Sequence, residues 1–130
     1  MAGRRAGVAD IAALVDLERT FPTDRLSARS FRHLLRRGHA DVWVYEVGGR
    51  TLGDAVVLYR RGTRIARLYS LVVAPRARGK GIGRALVVWA ERRAARRGCV
   101  ELQLEVRPDN KAARALYTGR GYADRGTRPA

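Results

Sequence analysis

The densest chemistry in the chain is one short basic turn, Arg76-Ala77-Arg78-Gly79-Lys80-Gly81-Ile82-Gly83-Arg84. Its alternating glycines let a bound group come close to the backbone, and its arginines and lysine crowd positive charge around the same spot. An apolar run ending at Pro75 precedes the turn, and a long helical pattern follows it. A strand, a glycine turn and a helix start together aim unpaired N–H groups and the positive end of the helix dipole at an anion. We read Arg78, Gly79, Lys80, Gly81, Ile82, Gly83 and Arg84 as a cradle for a diphosphate. The spacing is neither the nucleotide-binding G-x-x-x-x-G-K-[ST] nor the dinucleotide fingerprint G-x-G-x-x-G. Two later residues carry proton chemistry. Glu105 is an acid at a strand end, on the face opposite an apolar row. Tyr117 lies early in the following helix, and its phenol, with an ordinary pKa near ~10, is a reasonable acid toward a thiolate.

Arg78-x-x-Gly81-x-Gly83 resembles the pyrophosphate-binding motif of the GNAT family of acetyl-CoA-dependent N-acetyltransferases. Val72-Val73-Ala74-Pro75 before it also looks like that family. So does the later segment from Leu104-Glu105-Val106-Arg107-Pro108-Asp109-Asn110 through Ala115-Leu116-Tyr117 to Gly121-Tyr122, in the same order. The resemblance is best over Leu68 to Tyr122. The Glu105–Tyr117 spacing resembles the branch typified by ribosomal-protein alanine N-acetyltransferases.

The resemblance implies a transferase, an acyltransferase that moves the acetyl group of acetyl-CoA to a primary amine such as a protein or peptide N-terminus. It also implies a site. The cofactor's arm enters between two splayed strands, backbone N–H groups near Leu71, Val72 or Val73 bind the carbonyl oxygen, and Asn110 and Tyr117 contact the cofactor. Glu105 becomes the base and Tyr117 the acid. Phe21 and Arg25, between the first two helices, become acceptor contacts. Plain alternatives stand beside these roles. Glu105 can be a strand carboxylate paired with Arg107, Tyr117 a packing residue, Phe21 core and Arg25 a solvated loop residue, and Tyr69 offers another proton path. Small-molecule amines, lysine side chains and a catalytically weak CoA-binding module remain open as functions.

Composition narrows the class. The 130 residues make one domain, with 46% hydrophobic residues to build a core. No apolar run approaches the ~20 residues of a membrane span, and no signal-peptide pattern opens the chain, so a cytoplasmic address is expected. Cys99 is the single cysteine and is read as a small buried residue at a strand start. His33 and His39 have no metal-ligand partners at useful spacing, so no metal is expected. The net charge of +15 suits a polyanion. The arginines are spread along the chain, however, and read as compositional bias, so nucleic acid is not the expected partner.

The elements that must position this chemistry follow from period and punctuation. Gly3 to Val8 gives a faint first strand. Asp10 is expected to cap a helix from Ile11 to Thr20, and Ser27 a second from Ala28 to Arg37. A three-stranded meander follows, Val42–Val47, Thr51–Arg60 and Arg64–Ala74, with Gly48-Gly49 as a hairpin turn. A helix after the cradle has Ile82, Leu86 and Trp89 or Ala90 on one face. A strand Cys99–Val106 places Val100, Leu102, Leu104 and Val106 together. Asn110 caps a last helix, Lys111–Gly119. The expected fold is α/β: a mixed, mostly antiparallel GNAT-like sheet with helices on both faces. The family's C-terminal strand is expected to be missing, so an open edge at Glu105 is expected to invite a homodimer or a partner strand.

Overall fold

Alternating apolar residues in three successive segments, separated by glycine turns, commit the middle of the chain to a meander. The computed structural model describes residues 3–20, 26–36, 38–106 and 110–124. In chain order these residues form β1 (Gly3–Arg5), a 3-10 turn (Val8–Asp10), α1 (Ile11–Glu18), α2 (Ala28–Arg36), β2 (Ala40–Val47), β3 (Arg50–Tyr59) and β4 (Ile65–Val73). A second 3-10 turn (Pro75–Ala77), α3 (Ile82–Arg96), β5 (Glu101–Leu104) and α4 (Lys111–Gly119) complete the order. One five-stranded sheet has the order β1-β2-β3-β4-β5. All its pairings are antiparallel except β4 with β5, which run parallel. Parallel neighbours need a long crossover, and α3 supplies it. No described helix is long and apolar enough to cross a membrane.

The sheet's two faces carry separate cores. Val42, Val44 and Val56 pack with Leu14 of α1 and Phe31 and Leu34 of α2. On the other face Ala55, Val57 and Leu68 meet Ile82, Leu86, Val87 and Ala90 of α3. Each fully buried Leu, Val or Phe adds roughly 1.5–3 kcal/mol. Gly53 lets α3 sit low on β3, since a Cβ there would lie 3.0 Å from Ile82 Cγ2. Trp89 is half-buried and stacks on Tyr45, with ring centroids 5.9 Å apart, while Ala90 takes the buried place on α3.

Several expectations need correction. Asp10 does not cap α1 with its side chain. It closes the preceding turn by accepting from Gly7 N–H at 2.8 Å, and it pairs with Arg4. β5 is shorter than the alternation suggested, so Glu105 lies just beyond its end. Val100 is 73% exposed rather than part of the apolar row, and Cys99 is only half-buried and precedes the strand. Ser27 does cap α2, accepting from Ser30 N–H at 3.1 Å.

Candidate active site

The site begins where β4 and β5 part. Their ladder runs from Ile65 opposite Glu101 to Leu68 opposite Leu104 and stops there. From Tyr69 to Val73, β4 continues along β3 without β5 beside it. The register also slips at this point. Val56 faces Ser70 and Val57 faces Leu68, so Tyr69 is the extra residue of a bulge. A bulge re-aims the side chains around it, and Tyr69 is half exposed. The open side of β4 therefore spans Leu71, Val72 and Val73.

The basic turn sits at the end of that open stretch. Gly79 and Gly81 have φ of 79° and 80°, a left-handed conformation that strains any residue with a Cβ. Space is not the constraint, since a Cβ at either position would meet nothing within 4 Å. Gly81 is the N-cap of α3 and brings no side chain to the helix's first N–H groups. Arg78, Lys80 and Arg84 are exposed around it, and Arg78 Nε donates to the carbonyl oxygen of Val73 at 3.3 Å. Uncapped N–H groups at the start of a fifteen-residue helix, with basic side chains beside them, fit a diphosphate. Arg78, Gly79, Lys80, Gly81, Ile82, Gly83 and Arg84, the residues expected to cradle a diphosphate, thus form one continuous turn into α3.

Three elements converge at Gly83. A Cβ there would lie 3.5 Å from Leu116 Cδ2, 3.7 Å from Val73 Cγ2 and 3.9 Å from Leu71 Cδ2. The first turn of α3, the open end of β4 and the middle of α4 thus meet. Asn110 starts α4 by accepting from Ala113 N–H at 3.1 Å. Tyr117 is buried on α4, edge-on to Tyr122 with centroids 5.6 Å apart. Burial pushes its phenol up to about 12, so it keeps its proton across the range in which amines become nucleophilic. Glu105 stands exposed at the end of β5, 3.2 Å from Arg67 of β4. Arg67 is therefore a partner of Glu105 among the described residues. Arg107, Phe21 and Arg25 lie outside the described residues.

Two features were not anticipated. Glu91 on α3 pairs with Arg120 and accepts from the Tyr122 hydroxyl at 2.9 Å, which ties the end of α4 to α3. In sequence, Glu91 was one polar residue on a long helix. The second is a groove of about 290 Å³ between α1 and the segment after β4, lined by Ala13, Asp16, Leu17, Thr20, Thr51 and Arg76 among others. The i, i+4 pair Asp16 and Thr20 was the only signal for it.

The sequence profile of the Acetyltransferase (GNAT) family matches residues 9–122, nearly the whole of the region just described. The chain belongs to the GNAT acetyltransferase family. A mycothiol acetyltransferase of Amycolatopsis mediterranei (strain U-32) is 43% identical over 61 residues, which are 47% of this GNAT chain and 20% of that protein. The match thus covers about a fifth of that relative's length. The ribosomal-protein-S18-alanine N-acetyltransferase of Escherichia coli superposes with a TM-score of 0.81 at 25% identity, covering 92% of this chain and 75% of that one. The PaiA N-acetyltransferase of Thermoplasma acidophilum, solved in complex with coenzyme A, gives a TM-score of 0.87 at 17% identity, covering 97% and 91%. These structures share the fold expected from the sequence, a mixed and mostly antiparallel sheet flanked by helices.

Proposed function

We propose that the protein transfers the acetyl group of acetyl-CoA to a primary amine, with a protein or peptide N-terminus as the acceptor. The observation that carries this reading is the parting of β4 from β5 beside the uncapped start of α3. That one arrangement offers a seat for a diphosphate and a slot for the arm attached to it.

Acetyl-CoA, as co-substrate, would bring an activated thioester to this slot. In the proposed reaction Arg78, Lys80, Arg84 and the N–H groups from Gly79 to Gly83 hold the diphosphate. Glu105 takes the proton that the acceptor amine gives up as its nitrogen bonds to the carbonyl carbon. Backbone N–H groups of Leu71, Val72 or Val73 receive the charge that builds on the carbonyl oxygen. Tyr117 gives its phenol proton to the sulfur as the carbon–sulfur bond breaks, and Asn110 borders the arm. Phe21 and Arg25 remain our proposed acceptor contacts, with the α1 groove next to them in sequence. The proton balance closes: one is taken by Glu105 and one leaves Tyr117.

The test uses release of free thiol from acetyl-CoA with an alanine-terminated peptide, a lysine peptide blocked at its N-terminus and an aminoglycoside. Glu105→Gln and Tyr117→Phe are each expected to lower kcat by about 10²–10⁴-fold, while acetyl-CoA still raises Tm. Unchanged kcat in either variant removes that residue from its role. A second reading, a small-molecule amine acceptor, is favoured by the relative named for mycothiol. Turnover confined to the aminoglycoside would establish the small-molecule class over the peptide.

A further inference from the structure

The fold gathers arginines that are far apart in sequence. β2 starts, β3 turns into β4, β5 starts and both α2 and α3 end at one end of the sheet. Hydrogen bonds across this end confirm the meeting. Tyr59 N–H donates to the carbonyl oxygen of His39 at 2.8 Å, and Val100 N–H to that of Arg64 at 2.8 Å. Arg64 Nε donates to the carbonyl oxygen of Gly98 at 3.2 Å, and Arg97 Nη2 to that of Gly38 at 3.1 Å. Arg36, Arg60, Arg61, Arg64, Arg96 and Arg97 are all exposed there.

Their orientation is partly built in. The Arg97 guanidinium lies 3.9 Å from the centre of the Tyr59 ring, and the Tyr59 hydroxyl donates at 2.6 Å to buried Asp41. The backbone carbonyls that Arg64 and Arg97 bond leave their remaining donors for another partner. A cavity of about 170 Å³ opens between these side chains, lined by His39, Arg60, Arg61, Thr63, Arg97 and Cys99 among others. Opposing charge is scarce. Asp41 is buried and faces Arg5 and Arg93, Asp10 is engaged by Arg4, and Glu101 is the one exposed acid at this end among the described residues.

We propose that this arginine-rich end binds the phosphate backbone of a double-stranded nucleic acid. The chemistry favours phosphate, because guanidinium forks bond it bidentately and the cation here is arginine throughout. Lys80 and Lys111 belong to the cradle and to the first turn of α4. A duplex is favoured over a single strand because, among the described residues at this end, no aromatic ring lies open for base stacking. Tyr59 is buried, with Arg97 over its ring. An anionic membrane calls for an apolar edge that sinks among lipids, and among the described large apolar residues at this end only Val100 and the margin of Ile65 are exposed. β4 runs from this end to the cradle, so the two sites stand about 25 Å apart at ~3.3 Å per residue. Duplex binding and acetyl-CoA binding are therefore compatible on one molecule.

The experiment measures fluorescence polarisation of a labelled mixed-sequence DNA duplex at several salt concentrations, with saturating acetyl-CoA to occupy the cradle. Log affinity is expected to fall linearly with log salt, by about 0.9 per phosphate contact. Arg36→Gln, Arg60→Gln, Arg61→Gln and Arg96→Gln combined should weaken binding at least tenfold and flatten that slope by up to about 3.6. A control with the same change in net charge, Arg19→Gln, Arg29→Gln, Arg50→Gln and Arg114→Gln combined, should stay within threefold of the parent. An unchanged acetyl-CoA-induced rise in Tm shows that each variant is folded. Equal weakening in both variants would overturn the proposal, because net charge alone would then be responsible. Absence of duplex binding at low salt, or binding to phosphatidylglycerol vesicles in place of the duplex, would overturn it too.

Discussion

Glu18 and Asp54 should dominate the pH dependence of stability. Glu18 ends α1 and Asp54 sits in the middle of β3, at 1% and 0% exposure. Leu26 N–H donates to Glu18 Oε1 at 3.0 Å, while Glu18 Oε2 and both Asp54 oxygens have no N–H or hydroxyl donor among the described residues. The two carboxyls face each other closely enough to share a hydrogen bond, which requires one of them to keep a proton. Burial pushes both upward, and the neighbouring Glu18 pushes Asp54 further. In the unfolded chain both titrate near ~4. Above that pH the folded protein holds a proton that the unfolded chain has released. The stabilisation is therefore complete below the unfolded value and is lost as pH rises toward the folded value. The slope is about 1.4 kcal/mol per pH unit for each proton retained. From about pH 4.5 upward the parent therefore loses stability along this slope for as long as the pair keeps its proton. Asp54→Asn preserves a donor for Glu18 and removes this titration. Urea unfolding of parent and variant across that range, at fixed ionic strength, gives the difference. The stability of the variant relative to the parent should climb along that slope as pH rises. Parallel curves would refute the shared proton.

Other expectations concern the cradle and the first strand. Gly81→Val places a β-branched residue at φ 80° and should abolish the rise in Tm with acetyl-CoA, which for the parent at ~100 times its Kd corresponds to ~2.7 kcal/mol. Gly3→Val would set a Cβ 1.7 Å from the Trp89 ring. It should cost about 1–3 kcal/mol and shift tryptophan emission as β1 detaches from its place beside Trp89. Asp10 behaves oppositely to the buried pair. Its hydrogen bond to Arg4 holds its carboxyl below the ordinary value, so its contribution is present at neutral pH and lost on acidification. Arg4→Gln should reduce that acid sensitivity only slightly, because the pair is partly exposed and screened by solvent. Urea titration near ~pH 3 would measure it.

What was legible in the sequence was whatever rests on local chemistry. Gly48-Gly49 signalled a hairpin, and positive φ at both residues is what the turn uses. Ser27 and Asn110 announced helix starts by side-chain type, and both accept the expected N–H. The glycine turn before α3 was legible because Gly79 and Gly81 serve backbone conformation, which is written in a few consecutive residues. Asp10 misled because a short polar residue before a helix can close the preceding turn as readily as cap the next one. The arginines were harder to read. Arg36, Arg60 and Arg97 look scattered in the chain, and only the topology shows them at one end of the sheet. Glu18 and Asp54 gave no signal at all, since a carboxylate on a helix and another on a strand are ordinary until tertiary packing buries them together. Glu105 was expected inside the end of a strand and lies one residue past β5, and Arg67 as a partner depends on the parallel pairing of β4 with β5.

The short ladder between β4 and β5 has a thermodynamic consequence. β5 and α4 are held to the meander by the pairs from Ile65 to Leu68 with Glu101 to Leu104, by the clamp on Glu91 and by packing around Tyr117. β2, β3 and β4 share much longer ladders. The seam between a firmly knit unit and a lightly attached one runs along the open side of β4. Subglobal opening should follow that seam, with β5 and α4 exchanging their amide hydrogens ahead of the meander. A ligand laid across it would bridge the two units and raise the free energy of that opening, so the slot between β4 and β5 would stiffen as it fills.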